Sequence, residues 1–167
     1  MLRIGILTIS DKGSRGERED LSGPAIKESL AQIASVVQSD IVPDEKPIIS
    51  RKLAQWADSA SLDIILTTGG TGLAERDVTP EATMAILDKE VPGIAEAIRA
   101  GTLRHTPMAM LSRAVSGVRA KCLIINLPGS PRAVRECLEV VRPALSHAVE
   151  IITGKVTEHA PPSKEKG

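Results

Sequence analysis

Residues Leu66–Thr83 read LTTGGTGLAERDVTPEAT. Asp63–Thr68, which leads into this stretch, is an apolar run with β-branched residues, as a strand buried on both faces requires. Gly69, Gly70 and Gly72 follow at once, with Thr71 between them. Glycines at this density let backbone N–H groups approach a ligand closely. Arg76 and Asp77 come next, and Thr79-Pro80 then reads as an N-cap followed by proline at the first helical position. A strand exit of this kind is where open α/β sheets bind phosphorylated ligands.

The same strand-then-helix pattern repeats on either side. Leu2–Ser10 is the expected first strand, and Asp11–Asp20, dense in charge and glycine, a long loop. Ser22-Gly23-Pro24 opens a helix carrying Ile26, Leu30, Ile33 and Ala34. Ser35–Val42 is a second strand, broken by Pro43-Asp44-Glu45. Pro47–Ala60 is a helix with Ile49, Leu53, Trp56 and Ala60 along one face. Beyond the glycine loop, Pro80–Leu87 and Pro92–Ala100 are short helices, with Arg104–Pro107 a connection. Ser112–Val118 and Lys121–Leu127 are expected to form a hairpin through Arg119-Ala120, adding one antiparallel strand. Pro128-Gly129-Ser130-Pro131 ends that strand and starts a helix over Pro131–Thr153, with Pro143 a candidate kink. The predicted architecture is a three-layer αβα sandwich on a mainly parallel, mixed sheet. One domain is expected over 1–153, followed by a polar tail over 154–167.

Composition narrows the function classes. The 21 Lys and Arg balance 21 Asp and Glu, so there is no basic footprint for nucleic acid. Phe and Tyr are absent and Trp56 is the single aromatic residue, which argues against single-stranded nucleic-acid binding by stacking. A bound base or pterin has to be held by backbone and aliphatic contacts. MLRIGILTIS is too short and strand-like for a signal peptide, and no apolar run is long enough to span a membrane. A soluble cytoplasmic protein is expected. Cys122 and Cys137 lie far apart in apolar segments and read as buried thiols, and His105, His147 and His159 are isolated.

Two familiar phosphate motifs do not fit. A P-loop needs Lys and Ser or Thr after its last glycine, and Leu73-Ala74 stand there. The dinucleotide pattern started from Gly70 requires glycine at position 75, which is Glu75. Asp77, just past the glycines, is either a loop carboxylate bonded to nearby N–H groups or a Mg²⁺ ligand beside phosphates. Asp44, at the end of the second strand, is either a capping residue or its counterpart. If the two strands are neighbours, both carboxylates face one edge of the sheet. Asn126 and Ser130, around Pro128 and Gly129, are candidate hydrogen-bond donors in a second wall, with a helix N-terminus facing an anion. Ser112-Arg113 offers a phosphate cation or a plain surface charge, and Ser10-Asp11 has the same standing.

TTGGTG (Thr67–Gly72), RDVTPEAT (Arg76–Thr83), PG-x-AE (Pro92–Glu96), LSR (Leu111–Arg113) and LIINLPGSP (Leu123–Pro131) stand in this order. With TISDKGSRGEREDLSGP (Thr8–Pro24) and VPDE (Val42–Glu45), they resemble the molybdopterin adenylyltransferases of molybdenum-cofactor biosynthesis, the MogA/MoaB family. The resemblance covers the chain to about Ile152. It implies a three-layer α/β fold, a homotrimer, and the substrates ATP and molybdopterin with Mg²⁺. It also implies transfer of AMP to the molybdopterin phosphate with release of pyrophosphate, and hand-over to a molybdenum-insertion enzyme. The family's essential aspartates match Asp44 and Asp77, which would also hold the metal. Its nucleotide site matches Gly69, Gly70, Thr71 and Gly72 with Thr79, Pro80 and Glu81. Its substrate walls match Ser10, Asp11, Ser112, Arg113, Asn126, Pro128, Gly129 and Ser130. A carrier or trimeric scaffold that holds molybdopterin without adenylylating it is the alternative on the same fold.

Overall fold

A computed structural model describes residues 1–155. Six strands form one sheet: β1 (Leu2–Ile9), β2 (Ala34–Val42), β3 (Ile64–Thr68), β4 (Lys89–Glu90), β5 (Ser116–Arg119) and β6 (Cys122–Leu127). Their order across the sheet is β2-β1-β3-β6-β5-β4. The first four in that order run parallel, and β5 and β4 are antiparallel to their neighbours.

Period-2 alternation in the strands builds two cores. Ile4, Ile6, Ile64, Leu66, Leu123 and Ile125 face one side. There they meet α2 (Ser22–Leu30), α5 (Pro92–Thr102) and α6 (Pro131–Ile152). Leu7, Ile9, Ile65 and Ile124 face the other side, against α3 (Lys46–Asp58) and α4 (Thr79–Met84). The result is the expected three-layer sandwich, filled almost wholly with aliphatic side chains. Both thiols sit in these cores, and burial pushes each up to about 12.

Several boundaries differ from expectation. Asp11–Ser14 is one helical turn, α1, because the Ser10 hydroxyl accepts the Gly13 N–H and caps it. Ile33 and Ala34 leave the helix, and Ala34 starts β2. The hairpin turns at Ala120-Lys121, with Ala120 at φ +51°, and β5 begins only at Ser116, so Ser112-Arg113 lies ahead of the strand and not in it. Pro107–Leu111, placed partly in a connection, is a 3₁₀ turn capped by Thr106. The two-residue edge strand β4 carries too little pattern to be seen in sequence. Helix α6 continues through Pro143. Most of the expected tail, from residue 156, falls outside the described residues.

The carboxyl ends of β1 and β3 diverge to helices on opposite faces, since β1 is followed by α2 and β3 by α4. That divergence opens a crevice at the sheet edge, where α/β sheets bind ligands.

Candidate active site

The glycine loop lines the crevice. The Gly69 N–H donates to Leu127 O at 3.1 Å, tying the β3 exit to β6. Gly69 (φ +100°) and Gly70 (φ +69°) both occupy the left-handed region. The Thr79 N–H donates to Gly70 O at 3.1 Å and the Thr79 hydroxyl to Gly69 O at 2.9 Å. Thr79 is therefore not the N-cap. Val78 holds that position, and Thr79 staples the loop to α4 from inside the first turn. Pro80 follows, buried, where its missing N–H costs nothing.

Arg113 holds the loop from the other side. Its N–H donates to Thr71 O, its Nε to Gly72 O at 2.8 Å, and its outer nitrogens to Asp77 O and the Glu81 carboxylate. A guanidinium with these partners is a brace. It fixes the turn that presents Asp77 and is not an open phosphate cation. The adjacent Ser112 is half-buried, and its hydroxyl accepts the Ala114 N–H.

Asp44 and Asp77 flank the loop. Strand β1 lies between β2 and β3, so the two strands are not neighbours as the pairing argument supposed. The carboxylates still approach each other, because the turn after Gly72 folds back towards the β2 exit. A Cβ placed on Gly70 would stand 3.2 Å from Asp44 Oδ1, and one on Gly72 2.8 Å from Asp77 Oδ2. Asp77 Oδ2 accepts the Ala74 N–H at 3.0 Å. Asp44 does not cap α3, a position held by Glu45. Its Oδ2 accepts the Asp11 N–H at 2.9 Å, and Asp11 Oδ1 accepts the Asp44 N–H at 3.1 Å.

The Asp44 carboxyl is raised above its ordinary range. Burial is the main cause, and Asp11 and Asp77 push the same way, against the Asp11 N–H and the Arg76 guanidinium. The folded protein holds this proton more tightly than the unfolded chain. The group's contribution to stability is thus full below the unfolded value of about 3.9 and lost as pH rises through the folded one. Asp44→Asn is expected to raise Tm at pH 7, with the gain shrinking as pH falls towards 4. An unchanged or lower Tm at pH 7 in a thermal scan contradicts it.

The second wall has a different character from the one expected. Asn126 is 1% exposed. Its amide donates to the Thr67 and Thr83 hydroxyls, both at 3.0 Å, and its Oδ1 accepts the Val115 N–H. Both donors are engaged inside the protein, so Asn126 ties β3, β6 and α4 together beneath the site and presents no side-chain group to a ligand. Asn126→Leu strands three partners and is expected to cost about 3 kcal/mol. The denaturant midpoint at constant m-value measures it, and a change below about 1 kcal/mol would contradict the network's role. Ser130 is exposed and caps α6 by accepting the Ala133 N–H at 3.1 Å. Pro128 O accepts the Thr68 hydroxyl, and Gly129 O accepts the Ser22 hydroxyl.

Three hollows surround the loop. A polar one of about 460 Å³ lies between Ser10, Asp20, Gly69 and Ser130, open to the N-terminus of α6. An apolar one of about 430 Å³ on the far side of the loop is lined by Gly72, Leu73, Ile98, Met108 and Leu111. A third, about 460 Å³, holds Asp44, Lys46 and Arg76. Sequence reasoning left Asp20 and Arg76 unassigned. Asp20 accepts from Thr8 Oγ1 and from the Ser22 and Gly23 N–H groups, fixing the floor of the polar hollow. Both residues stand inside motifs quoted above, but only the fold shows what they touch.

Among the described residues, no group of three or more His, Cys, Asp or Glu side chains could hold a metal ion. Two carboxylates beside an amide-lined loop instead suit a hard cation whose other ligands are phosphate oxygens and water.

The model of the family described as "Probable molybdopterin binding domain" matches residues 5–147. The chain belongs to this family. The molybdopterin adenylyltransferase of Helicobacter pylori J99 is 46% identical over 156 residues, covering 92% of this chain and 89% of the relative. Its counterpart in Escherichia coli K12 is 39% identical over 175 residues, covering 96% and 90%. The crystal structure of the molybdopterin biosynthesis enzyme MoaB from Thermus thermophilus superposes with a TM-score of 0.88 at 57% identity. It covers 95% of this chain and 100% of that one. The matched residues include the glycine loop and both aspartates beside it.

Proposed function

We infer that the chain is a molybdopterin adenylyltransferase acting in molybdenum-cofactor biosynthesis. The observation that carries the reading is the pair Asp44 and Asp77 on either side of a glycine loop whose amides line a crevice, in a chain of this family. ATP is the nucleotide substrate. The reaction joins a phosphate oxygen of molybdopterin to the α-phosphorus of ATP and breaks the bond to pyrophosphate. Such a nucleophile needs no dedicated base, because a phosphate monoester is largely ionised near pH 7.

The loop amides of Gly70–Gly72 hold the phosphates in line with the attacking group, and the rigid brace of Arg113 and Thr79 keeps them there. Asp44 and Asp77 would hold Mg²⁺, which would supply charge neutralisation between two anionic substrates and on the leaving pyrophosphate. Polar and apolar hollows on opposite sides of the loop support separate places for the two substrates. With no aromatic residue around either hollow, ring systems are held by aliphatic contact and backbone polar groups.

The chain is read as cytoplasmic, and among the described residues no helix is long and apolar enough to cross a membrane. The exposed apolar side chains of Leu103, Met108, Met110 and Leu111 support self-association, which we read as a homotrimer. Hand-over of the adenylylated product to a molybdenum-insertion enzyme completes the proposal.

The test is a coupled assay with molybdopterin, ATP and Mg²⁺. Pyrophosphate is expected in equal amount to adenylylated molybdopterin, with none formed when either substrate or the metal is withheld. Molybdopterin binding without any ATP affinity or turnover would establish the carrier reading instead.

A further inference from the structure

The site must admit a polyphosphate past three carboxylates, yet its cations are unequally available. Arg113 is bound to two carbonyls and Glu81 and cannot turn away without stranding them. Arg76 is different. It precedes Asp77 in the same turn, and its side chain is 58% exposed. Its partner is the Asp11 carboxylate, met bidentately at 2.7 Å through Nε and 2.8 Å through an outer nitrogen. Asp11 is in turn the residue whose N–H holds the Asp44 carboxylate. Arg76 also lines the hollow that holds Asp44 and Lys46.

An ion pair this exposed contributes little to stability. The planar fork that fits a carboxylate fits a phosphate equally well. If Arg76 leaves, water and the Asp44 N–H, which already bonds Asp11 Oδ1, still serve the Asp11 carboxylate.

We propose that Arg76 is a phosphate-receiving residue held in reserve by Asp11: the guanidinium leaves the Asp11 carboxylate for a phosphate oxygen of the incoming nucleotide. The proposal rests on the adenylyltransferase reading. It makes Asp11 a competitor of the substrate for one cation, and a positioning residue for Arg76 in the empty site. The groups facing the exchange are Asp44 and Glu45 from the β2 exit, Asp77 beside Arg76, and Arg15 beyond Asp11.

The experiment is calorimetric binding of an ATP analogue blocked at the α,β bridge, with Mg²⁺, to the full chain and its variants. Arg76→Ala is expected to weaken binding about tenfold to thirtyfold, and Arg76→Lys by less, because charge survives but the fork does not. Asp11→Asn is expected to tighten binding about fivefold, and most of that gain is expected to vanish in the Arg76→Ala background. Opposite signs with this coupling are the signature of exchange. A loss in both single variants would make the pair a structural latch and overturn the proposal. An equal gain from Asp11→Asn with and without Arg76 would reduce Asp11 to plain repulsion and also overturn it. If Arg76→Ala does not fold, Arg76→Lys and Asp11→Asn still give the sign. Analogue binding to none of the proteins, the unsubstituted chain included, would overturn the nucleotide reading itself, and the proposal with it.

Discussion

Asp77→Ala is expected to lower kcat/KM for adenylylation at least a hundredfold, on the order of the loss when a charge-stabilising group is removed from a reacting centre. The fold is expected to survive. Asp77 is half-buried, and its carboxylate makes one hydrogen bond, to the Ala74 N–H within its own turn. The turn keeps its other supports, because the Asp77 carbonyl stays bonded to Arg113 and the Asp77 N–H to Ala74 O. Asp44→Ala is expected to behave alike, since Asp44 also sits beside the loop while Asn126 and the strands carry the fold. If both carboxylates serve one ion, the losses are not additive, and the double variant falls little below either single one. Circular dichroism and Tm check the folding, and the pyrophosphate assay checks the activity. Near-full activity in either single variant would remove that carboxylate from the mechanism.

Gly69→Ala is expected to have the largest effect on stability, about 3 kcal/mol or more, by denaturant unfolding. Two causes add. The residue sits at φ +100°, where side chains are strained, and its Cβ would press against the Ile9 carbonyl oxygen. That oxygen belongs to the backbone of β1 and cannot turn aside. The contrast with nearby glycines isolates the cause. Gly16, at φ +72°, has open space around it and suffers the backbone strain alone. A Cβ at Gly72 meets only the Asp77 carboxylate. Gly72→Ala is therefore a lesion of the site more than of the fold. A Gly69→Ala protein as stable as Gly16→Ala would show that the close approach of β1 and β3 does not matter.

The layers were legible in the sequence because strand alternation and helical spacing carry independent signals. Ile4 and Ile6 against Leu7 and Ile9 already separate the two faces of the sheet. Strand β4 was not legible, since two exposed residues hold no period. The hairpin was found but set one residue early, because its turn depends on Ala120 adopting a positive φ that its residue type does not announce.

In the site, residue type suggested chemistry that contacts reassign. Arg113 carries a charge suited to phosphate, but its fork is filled by two carbonyls and Glu81. Asn126 offers donors, but burial turns them inward to threonines forty or more positions away in sequence. Such partners follow from the parallel pairing of β3 with β6, which no local spacing reveals. The parallel pairing of β1 with β3 likewise brings Arg76 onto Asp11.

The most direct measurement of the central claim is a crystal structure of the chain with a non-hydrolysable ATP analogue and Mn²⁺ in place of Mg²⁺. The account predicts one anomalous peak between the Asp44 and Asp77 carboxylates, with the phosphates on the amides of Gly70–Gly72. A bound nucleotide whose metal touches neither aspartate would contradict it.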